Sequence, residues 1–421
     1  MPQPNILYIF TDQQFAGAMS CAGNRDLNTP AMDSLARVGA RFDRAYCTFP
    51  LCTPSRVSML TGKMPHELGV SGNEVPDLDR VRGNSLGVVF EQAGYDCGWG
   101  GKWHVGRSKP DDGFGFEHIC GFNDDKLPGA CAEFIQRKRD KPWLLVASFD
   151  NPHNICEWAR NQSLPWGDVP RVNVDDCPTL PANYAIAPFS PQCLERERAH
   201  NHLVHPTNDA PDDWWRHFRY AYYRLVEKVD AQIGRILDAL RASGQEGNTL
   251  VVFSSDHGDG HGAHHWNQKT VLYEESIRVP LIVSLPGKTR SGHVDTEHLV
   301  SNGLDLLPTL CNFAGITAPD GLAGRSLEPL LGGEADVDWR EDLVVETHFV
   351  APRYLGTQGR CVLSGDYKYT RYNWGRYREQ LVDLERDPGE MVNLAVSNSH
   401  RAMCDDMNAR LRAISESTND L

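Results

Sequence analysis

Long apolar runs are missing from this chain. The longest, residues 143–149, falls far short of the roughly 20 residues a bilayer span requires, so no membrane association is expected. A basic start followed by an apolar segment is also missing before Asn5. The expected location is therefore cytoplasmic, or periplasmic if a leader has been removed. Positive charge is in deficit: the formal net charge is −14, which repels a phosphate backbone and argues against a nucleic-acid partner. None of the 12 cysteines forms a C-x-x-C pair. That argues against a zinc ribbon and leaves reduced thiols as the default. No internal repeat or low-complexity tract is present. With 40% hydrophobic and 23% charged residues, the balance is that of an ordinary globular protein of one large domain with an appendage, or of two to three domains.

Short apolar runs rich in β-formers are present, at residues 5–11, 94–101, 143–149, 249–255 and 279–285. Between them lie helical patterns. Residues 30–42 carry Met32, Leu35, Ala36 and Val38 at helical spacing, with Thr29 as N-cap and Pro30 at the first helical position. Residues 212–242 carry an i, i+3, i+4, i+7 stripe from Trp215 to Leu240, read as core. A further amphipathic helix is predicted over 299–316, interrupted by Pro308. The acidic, turn-rich stretch 332–338 predicts a boundary. After it come strand-like runs at 343–346, 360–363, 367–371 and 380–383, and a last helix over 399–414. Alternating strands and helices argue an α/β sheet covered on both faces, with ligands at strand C-terminal ends. Asp12, His104, His153 and Asp256 each follow one of these strands, so four polar residues from distant places are expected on one rim.

Cys52 lies in Leu51-Cys52-Thr53-Pro54-Ser55-Arg56. The Cys-x-Pro-Ser-Arg core resembles the signature of the type I sulfatases, in which a dedicated formylglycine-generating enzyme oxidises the cysteine to Cα-formylglycine. Further segments resemble the family in order: Gly101-Lys102-Trp103-His104-Val105-Gly106, Asn151-Pro152-His153, Asp256-His257, and Lys269 before Tyr273-Glu274-Glu275-Ser276. Gly324-Arg325-Ser326-Leu327 and the tail's Asp387-Pro388 with Asn393-Leu394 extend the resemblance over nearly the whole chain. It implies an alkaline-phosphatase-like fold: a large mixed α/β sheet flanked by helices, then a small C-terminal antiparallel sheet with one helix. Domains are expected at 1–335 (catalytic) and 336–421 (α+β subdomain).

The resemblance also implies roles. Asp12, Gln13, Asp256 and His257, with an oxygen of modified Cys52, hold one divalent cation. Oxygen-rich ligands point to Ca²⁺ first, while one imidazole also admits Mg²⁺ or Mn²⁺. Many family members have a second acid where Gln13 stands and Asn where His257 stands. A hydrated aldehyde at residue 52 offers one hydroxyl to attack sulfur and expel the alcohol. The other then loses its proton, restores C=O and ejects sulfate. The helix opened by Pro54, Ser55 and Arg56, read over 57–61, favours the anion at its N-terminus. Arg56 holds the hydrate's charge, Lys102 contacts nucleophile and sulfate, and His104 is the base. One of His153 and Lys269 is the general acid, with His153 favoured and Lys269 as electrostatic support. Asn151, His264 and His265 are expected to line the substrate pocket. Specificity is expected from the segment 154–210, with His200, His202 and His205, and from Arg353 or Trp374 in the tail. The expected reaction is hydrolysis of a sulfate monoester on a small substrate, a sulfated saccharide first. The alternatives are a phosphonate or phosphate monoester hydrolase of the same superfamily, and a non-catalytic glycan binder that keeps Cys52 as a thiol.

Overall fold

A computed structural model describes residues 3–207, 209–332, 337–349, 355–418 and 420. The first ten strands in chain order are β1 (Asn5–Asp12), β2 (Ala40–Phe42), β3 (Ala45–Tyr46), β4 (Asp96–Gly101), β5 (Glu117–Cys120), β6 (Trp143–Pro152), β7 (Thr249–Ser255), β8 (Leu281–Ser284), β9 (His293–Asp295) and β10 (Val300–Ser301). Eight of them form one sheet in the order β5-β4-β6-β1-β7-β8-β2-β9, and β3 pairs with β10 separately. All neighbours in the large sheet are parallel except β8, which runs against both β7 and β2. Every residue of β1 is buried. Its alternate side chains serve two cores: Ile6, Tyr8 and Phe10 pack with Val57 and Leu60 on one face. Leu7 and Ile9 pack with Phe218, Tyr222 and Val229 of the long helix on the other. An unbroken apolar run is what a central strand covered on both faces requires.

The tail forms a four-stranded antiparallel meander of β11 (Asp342–His348), β12 (Gln358–Ser364), β13 (Tyr367–Tyr372) and β14 (Glu379–Asp383). The helix Arg401–Ser417 covers it with Cys404, Met407 and Leu411. The expected boundary at 335/336 falls within residues 333–336, outside the described residues, as does Arg353.

The long helix spans Asp212–Ala242, as the apolar stripe predicts. Other expectations are corrected. The first helix ends at Val38 instead of running to residue 42, because Ala40–Phe42 is pulled into the sheet between β8 and β9. Thr29 makes no cap bond with its side chain. The carboxylate of Asp230 reaches across from the long helix and accepts from Ala31 N (3.0 Å) and Met32 N (2.9 Å) instead. Residues 299–316 are not one helix broken at Pro308. Val300–Ser301 is a strand, and the helix Leu306–Ala314 starts late enough to put Pro308 in its first turn, where a missing N–H costs nothing.

Candidate active site

The C-terminal ends of β1, β4, β6 and β7 share one rim. Asp12 closes β1, Lys102 follows β4, His153 follows β6 and Asp256 follows β7. Two glycines permit the close approach. Gly101 has φ +87°, and a Cβ there would lie 1.9 Å from the Ser148 carbonyl. A Cβ on Gly258 would lie 1.9 Å from the Glu275 carbonyl. Cys52 arrives from a different layer as the first residue of the helix Cys52–Thr61, after Leu51 in extended conformation. The helix thus begins at the cysteine, five residues earlier than the sequence reading placed it. One ligand atom each from Asp12, Cys52, Asp256 and His257 lies within 4.8 Å of the others, and all four residues are buried.

Cys52 Sγ has Lys269 Nζ at 3.1 Å, His257 Nε2 at 3.3 Å and Asp12 Oδ1 at 3.7 Å. Lys102 Nζ bridges Asp12 Oδ2 (2.7 Å) and Asp150 Oδ1 (2.9 Å). Arg56 donates from Nη2 to Asp12 (3.0 Å), from Nε to Asp256 (2.9 Å), and from Nη1 to the Lys102 carbonyl (2.8 Å) and Ser148 Oγ (2.9 Å). His257 Nδ1 lies 2.9 Å from the Gly258 carbonyl. A carbonyl can only accept, so Nδ1 carries a proton, and Nε2 is the ring nitrogen that faces Cys52 Sγ and the cluster. Gln13 adopts φ +72°. Its Oε1 accepts from Lys269 Nζ (2.8 Å) and its Nε2 donates to Asp259 Oδ2 (2.6 Å). An ammonium only donates and a carboxylate only accepts, so the amide's orientation is fixed at both ends.

Burial and the Asp12 carboxylate push the Cys52 thiol up, but Lys269, Lys102 and His257 together outweigh them and hold it well below the usual range. Burial would also raise Asp12. Lys102, His153, Lys269 and Arg56 hold it well below the carboxylate range instead. Burial, Lys102 and Lys269 drive His153 well below 6.5. Burial first, then Asp12, raises Asp256 to about 6, and burial raises Asp259 to about 7.

The sulfatase family profile matches residues 4–129 and 124–316. The profile of the N-sulphoglucosamine sulphohydrolase C-terminal region matches 262–417. The chain belongs to the sulfatase family. This sulfatase is 32% identical to the Delta 4,5-hexuronate-2-O-sulfatase of Bacteroides thetaiotaomicron, over 96% of this chain and 88% of the relative. It is 26% identical to the N-acetylglucosamine-6-O-sulfatase of the same organism, over 93% and 82%. A solved 2-O GAG sulfatase superposes with TM-score 0.88 and 28% identity, covering 99% of this chain and 93% of that one. The fold is alkaline-phosphatase-like, and the chain is a sulfuric ester hydrolase.

The sulfatase's donor set suits a divalent cation. Two buried carboxylates, one imidazole nitrogen and the Cys52 sulfur lie within 4.8 Å of one another, and the Gln13 amide oxygen is joined to that sulfur through Lys269 Nζ. Of the expected residues, the structure brings Asp12, Gln13, Cys52, Arg56, Lys102, Asp256, His257 and Lys269 together. His153 sits beside them, with Nδ1 3.9 Å from Asp150. The ring of His104 hydrogen-bonds nothing among the described residues, while its carbonyl accepts from Thr53 Oγ1 (2.8 Å). Arg56 does not hydrogen-bond residue 52. Its guanidinium is directed at the two aspartates and at backbone, so it reaches the centre through them.

His264 and His265 are not brought to the cluster. His264 stacks on Tyr273 (3.8 Å between ring centroids), and His265 packs against Tyr184 and Trp215. The side-chain oxygen of Asn151 is buried without a hydrogen-bond partner among the described residues. Trp374 donates to Thr357 Oγ1 (3.0 Å) and packs against the core. Of the three histidines in the long segment, only His205 is buried. Asp150 and Asp259 were missed. Asp150 was legible as a carboxylate near the end of a parallel strand, and Asp259 as one two residues beyond His257. Asp150 pairs with Lys102 and so offsets part of the positive charge that lysine brings to the site.

Proposed function

We propose that this sulfatase hydrolyses a sulfate monoester on a saccharide, with Cys52 matured to formylglycine by a dedicated enzyme. We further propose that Asp12, Gln13, Asp256 and His257 hold one divalent cation, Ca²⁺ first. The observation that carries the reading is the burial of Cys52 against Asp12, His257 and Lys269, with Lys102 and Arg56 one contact further out. Support for the saccharide comes from relatives named for hexuronate 2-O-sulfate and N-acetylglucosamine 6-O-sulfate.

When bound, the cation supplies positive charge to the reacting oxygens. The hydrated aldehyde supplies one oxygen that takes the sulfuryl group and a second whose deprotonation releases it. Lys269 and Lys102 place fixed positive charge around residue 52, where a dry site magnifies it. His153 protonates the departing alcohol. In the free protein burial and the two lysines keep it neutral. An anionic ester between those lysines favours the imidazolium, so the proton is taken up with substrate. His104, with its ring free, is the base for the second hydroxyl.

The test is twofold. Steady-state rates on matched sulfate and phosphonate monoesters must favour sulfate, and rates favouring phosphonate would establish the alternative hydrolase reading. The mass of the peptide spanning residue 52 must show the aldehyde in active protein. A thiol in fully active protein would refute the nucleophile.

A further inference from the structure

A cavity of about 720 Å³ shares no lining residue with the Cys52 cluster, yet has a size typical of small-molecule sites. Its wall is aromatic: Trp158, Trp214 and Tyr220 contribute rings. These rings are braced. Trp158 and Trp214 meet at 5.4 Å, and Trp214 stacks on Phe218 at 5.4 Å and 16°. Both tryptophans are half-buried, one side in the core and the other open to the cavity. Asn161, Asp168 and Arg171 stand exposed around this wall, and their side chains form no hydrogen bond or ion pair with described residues. Rigid aromatic faces with free polar heads of both signs suit a ring that is apolar on its face and hydroxylated at its edge. A lipid tail would strand the polar heads, and a nucleic-acid strand would need a basic groove.

The cavity is also tied to the catalytic centre. The short helix Ile155–Ala159 presents Cys156 to Gln13 and Gln268 on one side and Trp158 to the cavity on the other. Lys102 Nζ lies 5.6 Å from the centre of the Phe122 ring, which is 56% exposed. Phe122 in turn meets Trp166 at 5.9 Å. The segment carrying Trp166 continues directly into the cavity wall at Leu164 and Asp168. One aromatic pair, Phe122 and Trp166, thus stands between Lys102 and the segment that lines the cavity.

We propose that this cavity is a second saccharide site. It takes pyranose units of the chain whose sulfated residue occupies the Cys52 centre. The identity of that chain rests on the preceding reading, but occupancy of the cavity does not require turnover. The test titrates the metal-loaded enzyme with an unsulfated uronate–hexosamine tetrasaccharide, followed by calorimetry. Saturable binding is expected, insensitive to inorganic sulfate and weakened about tenfold or more by Trp158→Ala, the scale of one lost aromatic anchor. The exposed pair Asp168→Ala and Arg171→Ala weakens it too, and serves if Trp158→Ala does not fold. In kinetics, the KM ratio of a sulfated tetrasaccharide to its sulfated monosaccharide rises by a similar factor in these variants. Absence of saturable binding, or binding displaced by sulfate and indifferent to the variants, overturns the proposal. Saturable, variant-sensitive binding without hydrolysis of any sulfated saccharide would leave the cavity standing and sink the substrate reading.

Discussion

Arg56→Met isolates what the guanidinium does. Arg56 is 1% exposed and pairs two fully buried carboxylates, Asp12 at 3.0 Å and Asp256 at 2.9 Å. Methionine fills a similar volume but leaves Asp256 with only the His257 ring, 3.6 Å away, and Asp12 with Lys102 as its close cation. Removing one member of a buried ion pair costs about 3–5 kcal/mol, because the remaining charge stays desolvated. With an unfolding entropy of about 2.1 cal/mol/K per residue, 421 residues give about 0.9 kcal/mol/K. The loss corresponds to a Tm drop of about 3–6 °C. A divalent cation held between the same carboxylates, as proposed, would substitute for part of the missing charge. The drop is therefore expected to be full in excess chelator and smaller in saturating Ca²⁺, read by differential scanning fluorimetry on parent and variant in parallel. A Tm within 1 °C of the parent in chelator would refute the claim that Arg56 compensates these aspartates. An equal drop with and without Ca²⁺ would refute the claim that the cation sits between them.

Gln13→Leu removes the amide oxygen that Lys269 holds beside the cluster. Divalent affinity measured by chelator competition should weaken about 10–100-fold, while unchanged affinity would remove Gln13 from the ligand set. His153→Ala should lower kcat about 10²–10⁴-fold on a sugar sulfate and far less on nitrophenyl sulfate, whose leaving group needs no proton. Equal losses on both would assign the acid elsewhere, to Lys269 first. His264 is held at about 3 by burial, then Lys368 and Arg198, against 6.5 in the unfolded chain. Between those values only the unfolded state takes the proton, so stability falls as pH drops below 6.5, by about 1.4 kcal/mol per pH unit for this one group. His264→Phe should flatten the acid limb of a Tm-against-pH curve by that slope, and an unchanged limb would count against the buried neutral ring.

Local chemistry wrote much of this sulfatase into its sequence. Buried parallel strands announce themselves as apolar runs because both faces are covered, and the long helix is legible to its last residue because its stripe is continuous. Asp12, His104, His153 and Asp256 were expected on one rim for the same reason, and after β4 the structure puts Lys102 there first. Distance in space erased the rest. Asp230 caps a helix some 200 residues away in sequence, and nothing near Thr29 signals it. Residues 40–42 follow a helical pattern yet become a strand because the neighbours that need them, β8 and β9, lie far along the chain. His264 and His265 sit five and four residues before Lys269, yet a turn of left-handed backbone carries them to other partners. The sequence by itself determined the elements, the order of the sheet-end residues and the family, since these follow from periodicity and short motifs. Only the tertiary structure decided which charges meet: Arg56 with two aspartates, Lys102 with Asp150, Gln13 between Lys269 and Asp259. Electrostatic pairing depends on separation in space and on exclusion of water, and neither is encoded in spacing along the chain.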